Sequence, residues 1–207
     1  MKSLLKGLSL MWLLISMNIA FLGAQTIQEE VCESGTPLQV DTVRSKVRSA
    51  LLTNAVFPGD SLETTVLVYR VDGVSLAVGF ARYRTTAIFE RVLAFNGCVH
   101  SFPAKGEYQD SIADTRRWNE LFERMGITIG EPDAPRLAIL YQRLITGQPL
   151  VLGTEAQTED EVFFFHPIVS PEPGRWRVTL KGDPPLHEDK YDIVVQFSLS
   201  GEVIPDP

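Results

Sequence analysis

The chain has 207 residues, 44% of them hydrophobic, with 19 Lys and Arg against 26 Asp and Glu for a formal net charge of −7. That is enough for one domain with a real core, or two small ones. The acidic balance repels phosphate backbones and anionic lipid surfaces, and no basic run offsets it, so nucleic acid is not expected as a partner.

At the N-terminus Lys2 and Lys6 precede an apolar stretch, Leu8 to Ala24, broken by Ser9, Ser16 and Asn18. These are the charged and apolar regions of a secretory leader. A cut after Ala24 leaves a small residue at the end of the leader, with Leu22 two places before it. The chain then divides into a signal peptide at 1–24 and an exported α+β domain at 25–207, in which 149–207 could form a separate β subdomain. Losing the two leader lysines takes the net charge from −7 to −9. The alternative is an uncleaved N-terminal anchor, for which 17 residues stand at the bottom of the membrane-spanning range. The flanking charges put the N-terminus inside in either case, so both readings place the domain outside the cytoplasm, in the periplasm or the medium. Any contact with the membrane is expected only through this segment.

The two cysteines of an exported chain most simply form one disulfide, Cys32 to Cys98. It would close a loop of roughly 65 residues and contribute about 4 kcal/mol by the loop-entropy model. A redox-active pair is not expected, because such pairs sit close together in sequence.

Thr36 and Pro37 form an N-cap and first helical position. Val40, Val43, Val47, Ala50 and Leu51 then recur at helical spacing, with Asp41, Arg44, Lys46 and Arg48 on the other faces. From Leu62 to Phe102 the dipeptides Asp72-Gly73 and Asn96-Gly97 each join runs rich in Val, Leu, Phe and Tyr, which predicts a meander of four antiparallel strands. Ile88, Phe89, Val92 and Leu93 also fit a helical stripe, and the Asn96-Gly97 turn favours a strand. The first two strands are apolar at nearly every position, so one face is expected to pack on the helix and the other to be at least partly covered by later chain. An N-terminal helix on a four-stranded antiparallel meander is similar in layout to cystatin-like folds. That analogy rests on layout alone and implies no activity.

Asp110 and Ser111 start a second helix with Ile112, Trp118, Leu121, Phe122 and Met125 on one face, stopped by Gly126. Asp133, Pro135 and Gly147 bracket a third, with Leu137, Leu140, Tyr141, Leu144 and Ile145 inward. Gly130-Glu131-Pro132 breaks the chain between them into a helical hairpin. Further antiparallel strands follow at Val162 to Val169, Trp176 to Leu180 and Tyr191 to Leu199, and the tail Ile204-Pro205-Asp206-Pro207 is expected to end any pairing.

Reactive groups are sparse. Glu155, Glu159, Asp160 and Glu161 crowd one loop but lack the alternating acids and central glycine of a calcium loop. His100, His166 and His187 have no ligand spacing for a metal, and His187-Glu188-Asp189 stands alone. Ser61, His100 and Asp110 could be written as a triad, yet no serine sits in a nucleophile elbow. Glycine-rich phosphate loops are missing, so no cofactor is expected. Arg175-Trp176-Arg177 could present an aromatic anchor, whereas strand alternation turns Trp176 to the core and both arginines to water. The expectation is a non-catalytic binding or accessory protein of the cell envelope, such as a subunit of a membrane-associated complex, with another envelope protein as partner. A periplasmic hydrolase with a non-standard site among the histidines, and a small-ligand carrier with a cavity between helix and meander, are the alternatives.

Overall fold

The computed structural model describes residues 39–53, 62–84, 87–95, 98–106, 110–153, 163–182 and 192–205. Asp72 and Gly73 both take positive φ, 48° and 75°, the mirror-image turn whose twist matches a tight hairpin. It joins β1 (Leu62–Val71) to β2 (Val74–Tyr83), with Val71 opposite Val74 and the register unbroken to Leu62 opposite Tyr83. β3 (Ile88–Phe95) and β4 (Cys98–Gly106) complete an antiparallel sheet in the order β1-β2-β3-β4. Phe95 pairs with Cys98, so the second hairpin also closes over two residues; Asn96 and Gly97 themselves lie outside the described residues.

α1 (Val40–Thr53) packs on one face of this sheet. Val43, Val47 and Leu51 are buried against Ala77, Ala81, Val92 and Ala94. Small residues alternate down β2, and Gly79 lies where the helix comes nearest: a Cβ there would stand 2.3 Å from Val47 Cγ1. We expect Gly79→Ala to cost about 1–3 kcal/mol through overpacking. Val47→Ala in the same chain should recover part of the loss in a thermal double-mutant cycle; an unchanged melt for Gly79→Ala would refute the close approach. Val40, expected inward, is 41% exposed because it precedes the helix's first contact with the sheet. Thr36 and Pro37 lie outside the described residues, but the helix does not start at Pro37 as expected: Gln39 is not helical, its carbonyl takes the first helical bonds, and α1 begins at Val40.

The other face of the sheet, with Tyr69, Leu76, Val78, Leu93 and Phe102, meets a second layer of helices. α2 (Ile112–Met125) and α3 (Ala134–Thr146) end in Gly126 and Gly147, both left-handed. Ile112, expected inward, is 65% exposed, since it lies at the first residue of α2 ahead of the buried Trp118, Leu121 and Phe122. The two helices meet where Tyr141 packs edge-on against Trp118 at 5.2 Å and bonds Thr115 at 2.6 Å. α3 buries more than the one face its pattern predicts: Ala138 and Ile139 are enclosed along with Leu137, Leu140, Tyr141 and Leu144. The reason is a second sheet on its far side.

That sheet runs β5 (Leu150–Leu152), β6 (Phe163–Glu172), β7 (Arg175–Gly182), β8 (Asp192–Ser198), β9 (Val203–Ile204) in spatial order. It is mixed rather than wholly antiparallel, because β5 pairs with β6 in parallel. Pro171 and Glu172, expected in a loop, belong to β6, and the turn falls at Pro173 and Gly174. Proline is tolerated there because β5 pairs only with Phe163 to Phe165, so beyond that β6 has no described partner on its outer side. A short strand not expected from the sequence follows, with Val203 opposite Phe197 and Ile204 opposite Gln196, before Pro205 ends it. One buried core runs from the first sheet through α2 and α3 to Val178, Leu180, Val195 and Phe197 of the second.

Candidate functional site

β3 carries Phe89, Arg91 and Leu93 toward the helices and Glu90, Val92 and Ala94 toward α1. Between Phe89 and Arg91 the register with β4 shifts: Phe89 faces Lys105 while Arg91 faces Phe102. This β-bulge matters chemically. Without it Phe102 and Lys105, three residues apart, would point to opposite sides of the sheet. With it, both join Arg91 beneath α2.

Three ionisable side chains meet there out of water. Arg91 grips Asp114 with two bonds, Nη1 to Oδ2 at 2.7 Å and Nη2 to Oδ1 at 2.9 Å, and also donates to the carbonyls of Pro103 and Leu144. Lys105 Nζ reaches Asp114 Oδ2 at 3.2 Å and Ser111 Oγ at 2.6 Å. Asp114 lies in the first turn of α2, where the positive end of the helix dipole favours a carboxylate. Around this cluster, arginines and phenylalanines alternate. Arg82 and Arg91 flank the Phe89 ring at 6.0 and 5.6 Å, and Arg91 and Arg117 flank Phe102 at 5.7 and 5.3 Å. Gly147 closes the pile: it needs φ 63°, and a Cβ on it would press the Phe89 ring at 2.6 Å.

Arg143, on α3, is a second buried cation, 1% exposed between the two sheets. It donates Nη1 to the Leu150 carbonyl at 2.9 Å and lies 5.4 Å from the Phe80 ring, while Nε and Nη2 have no hydrogen-bond partner among the described residues. Burial pushes its guanidinium down to about 10, against a smaller raising influence of Tyr69. A folded value below the unfolded one means the unfolded chain binds more protons above about pH 10, so the burial penalty is fully present below pH 10 and relieved above it. Tyr141 runs the other way: burial raises its phenol above the ordinary 10.0, so its contribution is lost at high pH. Because the two oppose each other in alkali, the clean test is substitution at neutral pH. We expect Arg143→Met to hold or raise the melting temperature, as apolar replacements of buried charge often do; a clear fall would show that the Leu150 bond outweighs the penalty.

The residues singled out by sequence lie elsewhere. His100 stacks on Phe95 at 5.0 Å, and Asp110 accepts a bond from the Ile112 amide at the start of α2. His166 is exposed beside Gly153. Ser61, Cys32, His187-Glu188-Asp189 and the acids Glu155, Glu159, Asp160 and Glu161 lie outside the described residues. Cys98 is buried at the start of β4. Trp176 rests on the core and donates Nε1 to the Ile129 carbonyl at 2.8 Å, with Arg177 exposed and Arg175 paired to Glu172, as strand alternation requires. Among the described residues no three His, Cys, Asp or Glu side chains gather as metal ligands. No described helix is long and apolar enough to cross a membrane.

Among the openings of the described surface are two clefts. One, of about 350 Å³, lies at the end of the first sheet between Glu63, Arg82, Arg84, Ala87, Ile88 and Phe89. The other, of about 220 Å³, runs between α3 and the β8-β9 edge past Gln142 and Gln196. Neither lining contains a histidine. No family model, curated protein or solved structure matches the chain.

Proposed function

We propose that this chain is a non-catalytic binding or accessory protein of the cell envelope, its exported part stapled by a Cys32–Cys98 disulfide. The observation that carries the reading is the sealed state of the Arg91–Lys105–Asp114 cluster, where three ionisable side chains meet among the described residues. Arg91, Lys105 and Asp114 are all buried, and the carboxylate is shared by both cations. Acid–base catalysis needs a group within hydrogen-bond reach of substrate; these groups instead hold α2 to the sheet. The carrier alternative needs a void between meander and helix, where Val47 and Leu51 already press on Gly79.

The test uses the protein from its native envelope. A soluble species beginning at Gln25, with no free thiol until reduction, and a stoichiometric complex of defined mass containing a second protein support the proposal. Turnover of ester, phosphate or peptide substrates that is lost on His100→Ala or His166→Ala would sink it in favour of the hydrolase reading.

A further inference from the structure

The cleft at the end of the first sheet is not explained by an accessory role, and its chemistry is specific. Glu63 stands opposite Arg82, and Arg82 opposite Phe89, so all three side chains share one face of the sheet. We infer that this cleft binds a small organic anion, its carboxylate or phosphoryl oxygens on Arg82 and its apolar part against Phe89 and Ile88.

Arg82 is fixed in place by two contacts. Its Nε donates to the Gly147 carbonyl at 2.8 Å, and its guanidinium lies 6.0 Å from the Phe89 centroid. Both terminal Nη groups are left without a hydrogen bond or ion pair among the described residues. A guanidinium held by Nε and by one face, with its outer edge unused, is the arrangement that takes an oxyanion through two parallel bonds. Arg91 lies on the same Phe89 ring, and Lys105 and Arg117 lie beyond it, with Asp114 as the one carboxylate bonded to this group among the described residues. The chain as a whole is acidic at −7, so this is a local concentration of positive charge.

Glu63 narrows the choice. It pairs with Arg84 at 3.4 Å on the rim, both side chains about two-thirds exposed. A second negative group on the ligand would meet Glu63, which favours a single anionic group. The volume, about 350 Å³, lies at the lower end of small-molecule sites and is too small for a polymer. This inference goes beyond the accessory reading, and its probes are small molecules, so the two fail separately.

Calorimetric titration of the intact folded chain at low salt with benzoate, phenyl phosphate and inorganic phosphate tests it. Saturable binding of one or both aromatic anions, about tenfold or more tighter than inorganic phosphate, is expected, and their relative affinity separates carboxylate from phosphoryl recognition. Arg82→Gln should weaken binding about tenfold or more. Because Arg82 also braces Gly147, a second variant is needed: Ala87→Trp fills the mouth from an exposed position and should abolish binding with the melting temperature unchanged. No saturable binding of any probe, or unaltered binding by Ala87→Trp, overturns the site. Inorganic phosphate binding as tightly as phenyl phosphate overturns the apolar subsite.

Discussion

Asp114→Ala should remove about 3–5 kcal/mol of folding stability, a large part of the about 5–15 kcal/mol that holds a typical domain folded. The loss comes less from the bonds broken than from what remains. Arg91 and Lys105 would be left as two cations in a closed space, with Ser111 and two backbone carbonyls as their remaining acceptors. Chemical denaturation reads the effect directly. A control separates charge from packing: replacing Arg91 and Lys105 by Met and Asp114 by Leu together should be far milder than Asp114→Ala alone, and can leave the protein as stable as before. If the single variant melts like the parent, the cluster is not the tie between α2 and the first sheet.

Trp118→Ala should cost about 3–5 kcal/mol by opening a cavity at the meeting point of three elements. The indole is fully buried, stacked on Phe122 at 4.4 Å and met edge-on by Tyr141. Its Nε1 donates to the Gly201 carbonyl at 3.0 Å, and the next residue, Asn119, bonds both the amide and the carbonyl of Val203. Trp118 therefore holds the β8-β9 turn against α2. Trp118→Phe should recover most of the packing but lose the bond, for a smaller cost of about 1–3 kcal/mol. Amide exchange at Val203 that stays as slow in Trp118→Ala as in the parent would contradict this coupling.

The site was far less legible than the scaffold. Arg91 sits in an apolar strand, Phe89-Glu90-Arg91-Val92-Leu93, and a charge flanked by such residues was a readable sign of a buried pair. Lys105 and Asp114 carried no such sign. One sits two places after Pro103 in an edge strand, the other sits in the polar first turn of a helix, and both look like surface residues until the bulge at Phe89/Arg91 turns Lys105 inward. Arg143 was masked by the apolar run around it. Helical spacing marked Leu140 and Leu144 as inward but could not say that the opposite face would be covered as well.

By itself the amino-acid sequence determined the local elements: the hairpin at Asp72-Gly73, the glycine stops at Gly126 and Gly147, the amphipathic stripe of α1 and the outward arginines around Trp176. Each rests on backbone preference or on periodicity within a few residues, which short-range sterics and solvent exposure settle. Tertiary structure alone decided that α3 lies between two sheets, that β5 joins the second sheet in parallel, that the charges of Arg91, Lys105 and Asp114 are buried, and that Arg82 faces a cleft. Those depend on partners from 9 to 65 residues away in the chain. Whether a charge is buried is set by what closes over it, and that is a property of the packed layers rather than of any stretch of sequence.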